Sequence, residues 1–262
     1  MNYQISEMHR LSFFKKRATY SFISNVKAPF FLVLFLLSVS CEQKNRQSKS
    51  IQEPLESKSQ ITEFTPINPD TLLNSVTGFV DGHRYLITCS SGYNLILQNE
   101  KGHTIYQDSV YSPKQEFLDF NGDGYKDILI DYMTNTPGIQ DLLLYDITNK
   151  TYKKVIDFQR FPSAQRIGNT KYYYSYHRSG CADYNWDSDL FYIENYKSVK
   201  IGNIAGRECN DTSIKDGIYI NKIIKGEKIE VQKLSIGIIK EYKDYKWGFI
   251  AQYWGKNYKK FL

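Results

Sequence analysis

The chain has 262 residues, and its 34 Lys and Arg against 28 Asp and Glu give a formal net charge of +6 at pH 7. Most of this excess belongs to residues 1–40, which contain five basic residues and one acid, and 29 basic and 27 acidic residues remain in 41–262. A chain so close to neutral lacks the basic surface that binds nucleic acid, so we predict no nucleic-acid partner.

Residues 1–40 have the pattern of an export signal. Basic residues dominate up to Lys27, and an almost unbroken apolar run follows from Ala28 to Ser40, immediately before Cys41. A basic region, an apolar core of about 7–15 residues and small residues before the cleavage site define a secretory signal. The apolar run is shorter than the roughly 20 residues that a membrane-spanning helix needs.

The residues around Cys41 resemble the lipobox of bacterial lipoproteins, in which small residues precede the cysteine, here Leu37-Ser38-Val39-Ser40. The resemblance implies that Cys41 is acylated and attaches the mature chain to the membrane through its lipid. The expected location is then the cell envelope, on the periplasmic or the surface side of the outer membrane. An ordinary cleaved signal and a short anchor are the alternatives.

Residues 41–71 predict a flexible tether after Cys41. They are polar and charged, without periodic apolar positions, and such a segment cannot bury enough apolar surface to fold. The folded domain is therefore predicted over residues 72–262, a length sufficient for one hydrophobic core.

Residues 72–262 predict a mainly β domain. Short apolar segments recur about every ten residues and are separated by turn residues such as Ser91-Gly92 and Lys101-Gly102. The predicted strands are Arg84–Cys89, Tyr93–Gln98, His103–Gln107, Glu116–Asp119, Asp127–Tyr132, Asp141–Asp146, Tyr152–Phe158, Lys171–His177, Asp189–Ile193, Ser198–Ile204, Gly217–Ile224 and Lys228–Leu234.

The apolar spacing changes near the C-terminus. Apolar residues there lie three or four positions apart, as on one face of a helix, namely Trp247, Ile250, Tyr253, Trp254, Tyr258 and Phe261. This spacing predicts one C-terminal helix that packs on the sheets, with these side chains in the core.

A D-x-N-x-D-G-x-x-D pattern separates two of the predicted strands. Its oxygen-bearing side chains at positions 1, 3, 5 and 9 belong to Asp119, Asn121, Asp123 and Asp127. Calcium takes about six to eight oxygen ligands, and a short loop of this spacing supplies several of them, including the backbone carbonyl of Tyr125 at position 7. Gly124 at position 6 permits the sharp turn. These five oxygen donors predict a Ca²⁺ site, and the alternative is a hairpin turn without a metal.

The flanks of this loop exclude an EF-hand, because Ile130 stands where an EF-hand has a bidentate acid and the neighbouring segments suit strands. A strand–loop–strand unit of this kind resembles the calcium loops of integrin α-chain propeller blades and of bacterial FG-GAP/VCBS repeats. The resemblance implies propeller-like antiparallel sheets with one calcium-loop hairpin. The chain is long enough for only about four blades, so a full integrin-type propeller is not expected.

The run DFNGDGYKDILIDY and the later run DLLLYDITNKTYKKV look like single-calcium, β-propeller-like proteins related to bacterial immunity proteins against secreted peptidoglycan hydrolases. Tyr145-Asp146 and Tyr152 match the end of the strand and the aromatic residue of that pattern. The resemblance implies a protein that blocks a lysozyme-like enzyme in the periplasm. It transfers no residue of an inhibitory loop to this chain.

A second polar stretch contains Asp183, Asn185, Asp187 and Asp189, which alternate and would share one face of an extended strand. Ser188 stands where a calcium loop has glycine, and the two alternative interpretations are a second cation site and a solvated strand face. The aromatic residues nearby suit half-buried strand positions, or a surface that stacks on sugars or on a protein partner. They are Tyr173, Tyr174, Tyr176, Tyr184 and Trp186.

The cysteines agree with export. Apart from Cys41 there are three, which allows one disulfide and one free thiol. Cys181 and Cys209 each lie in a glycine-containing turn and are the predicted disulfide pair, which would stabilise the fold by about 3 kcal/mol in the chain-entropy model. Cys89 ends an apolar strand and is predicted to be a buried, small hydrophobic residue.

The sequence contains little that points to catalysis. After the export signal only His83, His103 and His177 are present, and neither H-E-x-x-H nor G-x-S-x-G occurs. We therefore expect a non-enzymatic, exported, calcium-binding module with a protein or glycan partner in the envelope, of which an inhibitor of a peptidoglycan-lytic enzyme is the most specific version. The alternatives are an envelope glycan hydrolase with an unrecognised acid pair, and an adhesive or structural envelope protein.

Overall fold

The computed structural model describes residues 71–209 and 214–262, which form three antiparallel β-sheets and one C-terminal helix. The mainly β prediction and the helix prediction are confirmed. The export signal, Cys41 and the tether up to residue 70 lie outside the described residues. Within the described part, no helix is both long and apolar enough to cross a membrane.

The first sheet is a meander in which each strand pairs with the next along the chain. Its strands are β1 (Leu72–Val80), β2 (His83–Ser90), β3 (Asn94–Asn99) and β4 (Thr104–Asp108). The sequence predicts the last three to within one residue at each end. It does not predict β1, because this edge strand leaves most of its side chains at least partly exposed and lacks a clear apolar alternation.

The second sheet is also a four-stranded meander. It contains β5 (Gln115–Leu118), β6 (Asp127–Asp131), β7 (Gln140–Asp146) and β8 (Thr151–Lys154). The predicted strand Tyr152–Phe158 is too long, because Asp157 adopts a left-handed conformation (φ 64°) and begins a 3-10 turn, Phe158–Arg160. The candidate calcium loop is the connection between β5 and β6.

The third sheet contains the remaining strands in the order β15-β14-β13-β12-β10-β9, with β11 also paired to β12. Their bounds are β9 (Gln165–Arg166), β10 (Tyr172–Tyr174), β11 (His177–Arg178), β12 (Trp186–Glu194), β13 (Lys197–Arg207), β14 (Gly217–Ile224) and β15 (Glu227–Leu234). The predicted strand Lys171–His177 is interrupted, because the amide of Tyr176 donates to the Pro162 carbonyl instead of to β12.

The second sheet is buried on both faces. On one face, Leu143 and Tyr145 of β7 belong to a core cluster with Tyr85 and Ile87 of the first sheet. On the other face, Leu142 and Leu144 belong to a cluster with Phe191 of the third sheet. The candidate calcium loop therefore extends from the sheet that packs against both of the others.

The helix α1 (Tyr245–Asn257) covers the far face of the third sheet, as the sequence predicts. Ile250, Trp254 and Phe261 are buried there. Trp247 was expected in the core and is an exception, with 51% of its surface exposed. It lies in the first turn of the helix and packs against the ring of Tyr176 at 5.7 Å instead of against the sheet.

The three sheets do not close into a propeller ring within residues 71–209 and 214–262. The connections between elements include further 3-10 turns at Cys181–Asp183, Ile236–Glu241 and Tyr258–Phe261.

Trp186 of β12 lies directly across the backbone of Gly206 in β13, and a Cβ atom at position 206 would overlap its indole ring. We expect Gly206→Ala to lower the free energy of unfolding by about 1–3 kcal/mol, because overpacked cores must shift. Gly255→Ala, in a helical position with open space around it, is the matched control and should raise stability by about 1 kcal/mol. Denaturant titration measures both, and a neutral Gly206→Ala would contradict the described packing.

Candidate functional site

The loop between β5 and β6 curls around the carboxylate of Asp119. Asp119 Oδ1 accepts hydrogen bonds from the amides of Gly122 (2.6 Å) and Asp123 (3.1 Å), and Oδ2 accepts one from Gly124 (3.1 Å). Gly124 has φ +91°, a conformation that other residues rarely adopt. Position 1 of the predicted loop is thus the centre of the turn, and the glycine at position 6 is needed for its shape.

Asp127 fastens the end of this loop to the middle of the second sheet. Its side chain is fully buried, and Oδ2 accepts hydrogen bonds from the amides of Phe120 (3.1 Å) and Asn121 (3.2 Å). Oδ1 accepts a third hydrogen bond from the amide of Tyr145 in β7 (2.9 Å). Burial raises the pKa of Asp127 to about 7, although these hydrogen bonds act in the opposite direction and the nearby Asp123 carboxylate adds to the rise.

The remaining predicted ligands lie at the open side of the turn. Asp123 is exposed, and its Oδ1 accepts a hydrogen bond from the Tyr125 amide (2.9 Å) while Oδ2 accepts one from the Asn121 side chain (2.8 Å). The ring of Tyr125 stacks on Tyr145 at 5.6 Å. The side chains at positions 1, 3 and 5 are therefore held next to one another by hydrogen bonds within the loop.

Arg166 of β9 is a neighbour of the loop that the sequence pattern does not reveal. Its guanidinium lies against the backbone of Gly122, where a Cβ atom would overlap Nη1. Its Nε donates to the Thr170 carbonyl (2.7 Å), which fixes its direction. Because Arg166 is far from the loop in sequence and belongs to another sheet, spacing alone gives no signal for this contact.

The donors of the loop suit a hard cation in kind, since they are carboxylate and amide oxygens. A carboxylate has about four acceptor positions, so Asp119 can bind an ion and keep its backbone hydrogen bonds. In the described residues, however, no three His, Cys, Asp or Glu side chains converge in the manner of a formed metal site. Binding of calcium would require the Asp123 carboxylate to exchange its Asn121 partner for the ion.

The second polar stretch is divided by the start of β12. Asp187 and Asp189 share one face of the strand, where the Asn203 side chain donates to both carboxylates (3.2 and 2.7 Å). Asp183 lies outside the strand, and Asn185 accepts from the Glu208 amide. The structure therefore brings together two of the four alternating residues.

Asp187 and Asp189 each have a basic partner. Arg207 Nη2 lies 3.0 Å from Asp187 Oδ2, and Lys200 Nζ lies 2.5 Å from Asp189 Oδ1. Together with His177 they line a polar cavity of about 370 Å³. Charges buried in pairs and hydrogen bonded in this way are a common structural arrangement.

The structure joins Cys181 to Cys209 in a disulfide, with 6.1 Å between their Cα atoms. Cys89 is a buried free thiol in β2. Of the aromatic residues in the second polar stretch, Tyr173 and Trp186 are core residues, whereas Tyr184, whose amide donates to the Cys181 carbonyl, has 57% of its surface exposed. The disulfide therefore lies beside an exposed aromatic side chain.

No protein-family model matches the chain, and no curated protein matches it. Among solved structures, the chain is similar to a Xanthomonas protein described as related to a type IV secretion system. The two chains are 14% identical and superpose with a TM-score of 0.40 over 65% of this chain and 98% of the other.

The raised pKa of Asp127 predicts a pH-dependent stability in the presence of a chelator. Between about pH 4 and pH 7 the folded protein keeps a proton on Asp127 that the unfolded chain has lost, so raising the pH favours unfolding. We expect the contribution of Asp127 to the free energy of unfolding to fall by up to about 4 kcal/mol across this range. Denaturant titrations of the wild type and of Asp127→Asn at several pH values measure it, and a difference between the two proteins that stays constant over this range would contradict the burial of this carboxyl.

Proposed function

We propose that this protein is a non-enzymatic binding module, exported and anchored through a lipid on Cys41, whose β5–β6 loop takes up Ca²⁺. The observation that carries the calcium proposal is the turn built around Asp119. Three backbone amides orient this carboxylate, and the side chains of Asn121 and Asp123 lie beside it at the open side of the loop. A hairpin turn that binds no metal does not need so many oxygen-bearing side chains.

The ligands would be Asp119, Asn121, Asp123 and Asp127 through side-chain oxygens and Tyr125 through its carbonyl. A bound ion would supply positive charge that relieves the repulsion among the three carboxylates. Asp127 links the loop to β7, and the neighbouring Arg166 belongs to the third sheet. Order gained in the loop would therefore stabilise the contact between two sheets, and metal binding would contribute to folding.

The most specific version of the proposal is an inhibitor of a peptidoglycan-lytic enzyme. It is supported by the resemblance of the calcium-loop hairpin and of Tyr145-Asp146 and Tyr152 to immunity proteins of that kind. In the structure these residues form β5 to β8, a four-stranded meander of the size of one propeller blade. We propose this meander as the propeller-like unit of the fold.

A glycan hydrolase is the second candidate, and one observation favours it. Asp187 and Asp189 form an acid pair at the polar cavity beside His177. Glycoside hydrolysis needs one carboxyl that donates a proton and a second that acts as base or nucleophile. Here each carboxylate is engaged by its own cation, Arg207 or Lys200, and this pairing supports a structural role.

Calcium is expected to raise the melting temperature of the protein by about 3–10 °C relative to the chelated protein, at about 10–100 times the dissociation constant. Asp123→Ala should abolish this difference, because it removes the carboxylate at the open side of the loop. Thermal melts in calcium and in chelator measure the effect.

The matched control for this melt is Glu116→Ala, which removes a carboxylate from the same hairpin outside the loop. It should retain the calcium-dependent rise. If Asp123→Ala also retained the rise, the assignment of the loop would be wrong. If the wild-type protein had the same melting temperature in calcium and in chelator, the loop would be a turn that binds no metal.

Clearing assays on peptidoglycan separate the functional alternatives. We expect the protein alone to leave the suspension turbid and to slow clearing by an added lysozyme. Clearing by the protein alone that is lost in Asp189→Asn would instead support the hydrolase. If neither lysis nor protection occurred, the inhibitor version would be wrong and an adhesive or structural role would replace it.

A further inference from the structure

Trp247, in the first turn of α1, lines two clefts. One cleft, of about 400 Å³, is lined by residues of the helix and by Gln165, Tyr174 and Tyr176. The other, of about 350 Å³, is lined by Tyr184 and Tyr245 among others. We call the two clefts together with Trp247 the Trp247 surface.

Large aromatic side chains are exposed on this surface. Tyr184, Tyr245 and Trp247 have 57%, 61% and 51% of their surface accessible to solvent. Single exposed aromatic residues are common in proteins, but several around the same pair of clefts indicate a ligand-binding surface. None of them contributes to the core beneath the helix, so folding alone does not account for them.

The Trp247 surface is held rigid by polar contacts beneath the rings. Lys246 Nζ lies 2.8 Å from Asp183 Oδ2, and the Tyr176 hydroxyl donates to Asp183 Oδ1 at 2.6 Å. The same ammonium group lies 4.9 Å from the centre of the Trp247 ring and 5.4 Å from that of Tyr176. Because these contacts fix the rings before any ligand arrives, binding would cost little additional ordering.

The backbone around the surface is strained. The thirteen non-glycine residues with positive φ in the described part include five that line the two clefts: Ser163, Ala182, Asp183, Asp244 and Tyr245. Such conformations cost on the order of 1–3 kcal/mol each and cluster at ligand-binding sites. Ala182 is next in the chain to Cys181, which the disulfide joins to Cys209.

From these observations we infer that the Trp247 surface binds a neutral oligosaccharide, with one sugar ring stacked on Trp247 and the neighbouring sugars in the two clefts. A sugar ring presents an apolar face to an aromatic side chain and hydroxyl groups at its edge, and the clefts offer both kinds of partner. The amide of Gln165 and the carboxylates of Glu208 and Asp244 supply the polar groups.

The charges on the surface favour a neutral ligand over an anionic one. Lys246 is neutralised by Asp183, and the remaining charged lining groups of the clefts, Glu208 and Asp244, are acidic. An acidic polysaccharide would meet like charges there, which disfavour binding. The inference deepens the proposed function, because it rests on the binding-module role and names the partner class, but it does not depend on the calcium loop.

Intrinsic tryptophan fluorescence reports directly on this surface. The chain has three tryptophans, and Trp186 and Trp254 are buried, with 1% and 0% of their surface exposed. A spectral change on adding a sugar would therefore arise at Trp247. We expect saturable changes with soluble oligomers of N-acetylglucosamine or of β-1,4-linked glucose, and weaker or no changes with an alginate oligomer.

Single substitutions test which residues contact the sugar. Calorimetric titration, which does not depend on the fluorophore, should show binding of the same oligomer at least about tenfold weaker in Trp247→Ala, as for an aromatic residue central to an interface. Tyr184→Ala keeps the fluorophore and should also weaken binding. Phe79→Ala, which removes another exposed aromatic residue, from β1 (64% exposed), is the matched control and should bind as the wild type does.

Three results would overturn the inference: no saturable change with either neutral oligomer, equal affinity in Trp247→Ala, or a protein partner whose binding requires Trp247 while sugars have no effect. Titrations in calcium and in chelator separate its failure from failure of the calcium proposal. If the sugar titration shows no change but calcium still raises the melting temperature, only the glycan inference is rejected. If the sugar binds saturably but calcium does not raise the melting temperature, only the calcium proposal is rejected.

Discussion

The three hydrogen bonds accepted by the buried carboxylate of Asp127 are the contact on which the arrangement of the second sheet depends. They join the first residues of the β5–β6 loop to Tyr145 in β7, the strand that packs against both neighbouring sheets. Loss of this carboxylate would leave three backbone donors unpaired at the centre of the protein, each costing about 1–3 kcal/mol. The end of the loop is therefore fixed by the core.

Close approach of aromatic rings to glycine backbone determines how the third sheet is covered. Gly206 leaves room for the Trp186 indole, and Gly202 lies beneath Trp254 and Phe261. These contacts allow α1 to pack with large rings directly on the strands. Trp247, three residues before Ile250, packs against Tyr176 instead and stays half exposed.

The sequence predicts what depends on local pattern and misses what depends on contacts between distant segments. The turn residues and apolar runs locate β2 to β7 well, and the loop spacing identifies Asp119 as its first member. The alternation of Asp183 to Asp189 is misleading, because β12 begins only at Trp186 and leaves Asp183 outside the strand. The Arg166 side chain and the Gly122 backbone belong to distant segments of the chain, and Trp247 contacts Tyr176, more than 70 residues earlier. No spacing rule reveals either contact.

The covalent link between Cys181 and Cys209 closes a ring around the β12–β13 hairpin. Before this link forms, nothing covalent holds Ala182 at φ 50°, and the turn is restrained by the contacts of Asp183 with Tyr176 and Lys246. Disulfides persist in oxidising compartments and are rare in the cytosol. The turn that carries the exposed ring of Tyr184 would thus be closed covalently only in an oxidising compartment, and a reducing one would leave the ring of residues 181–209 open.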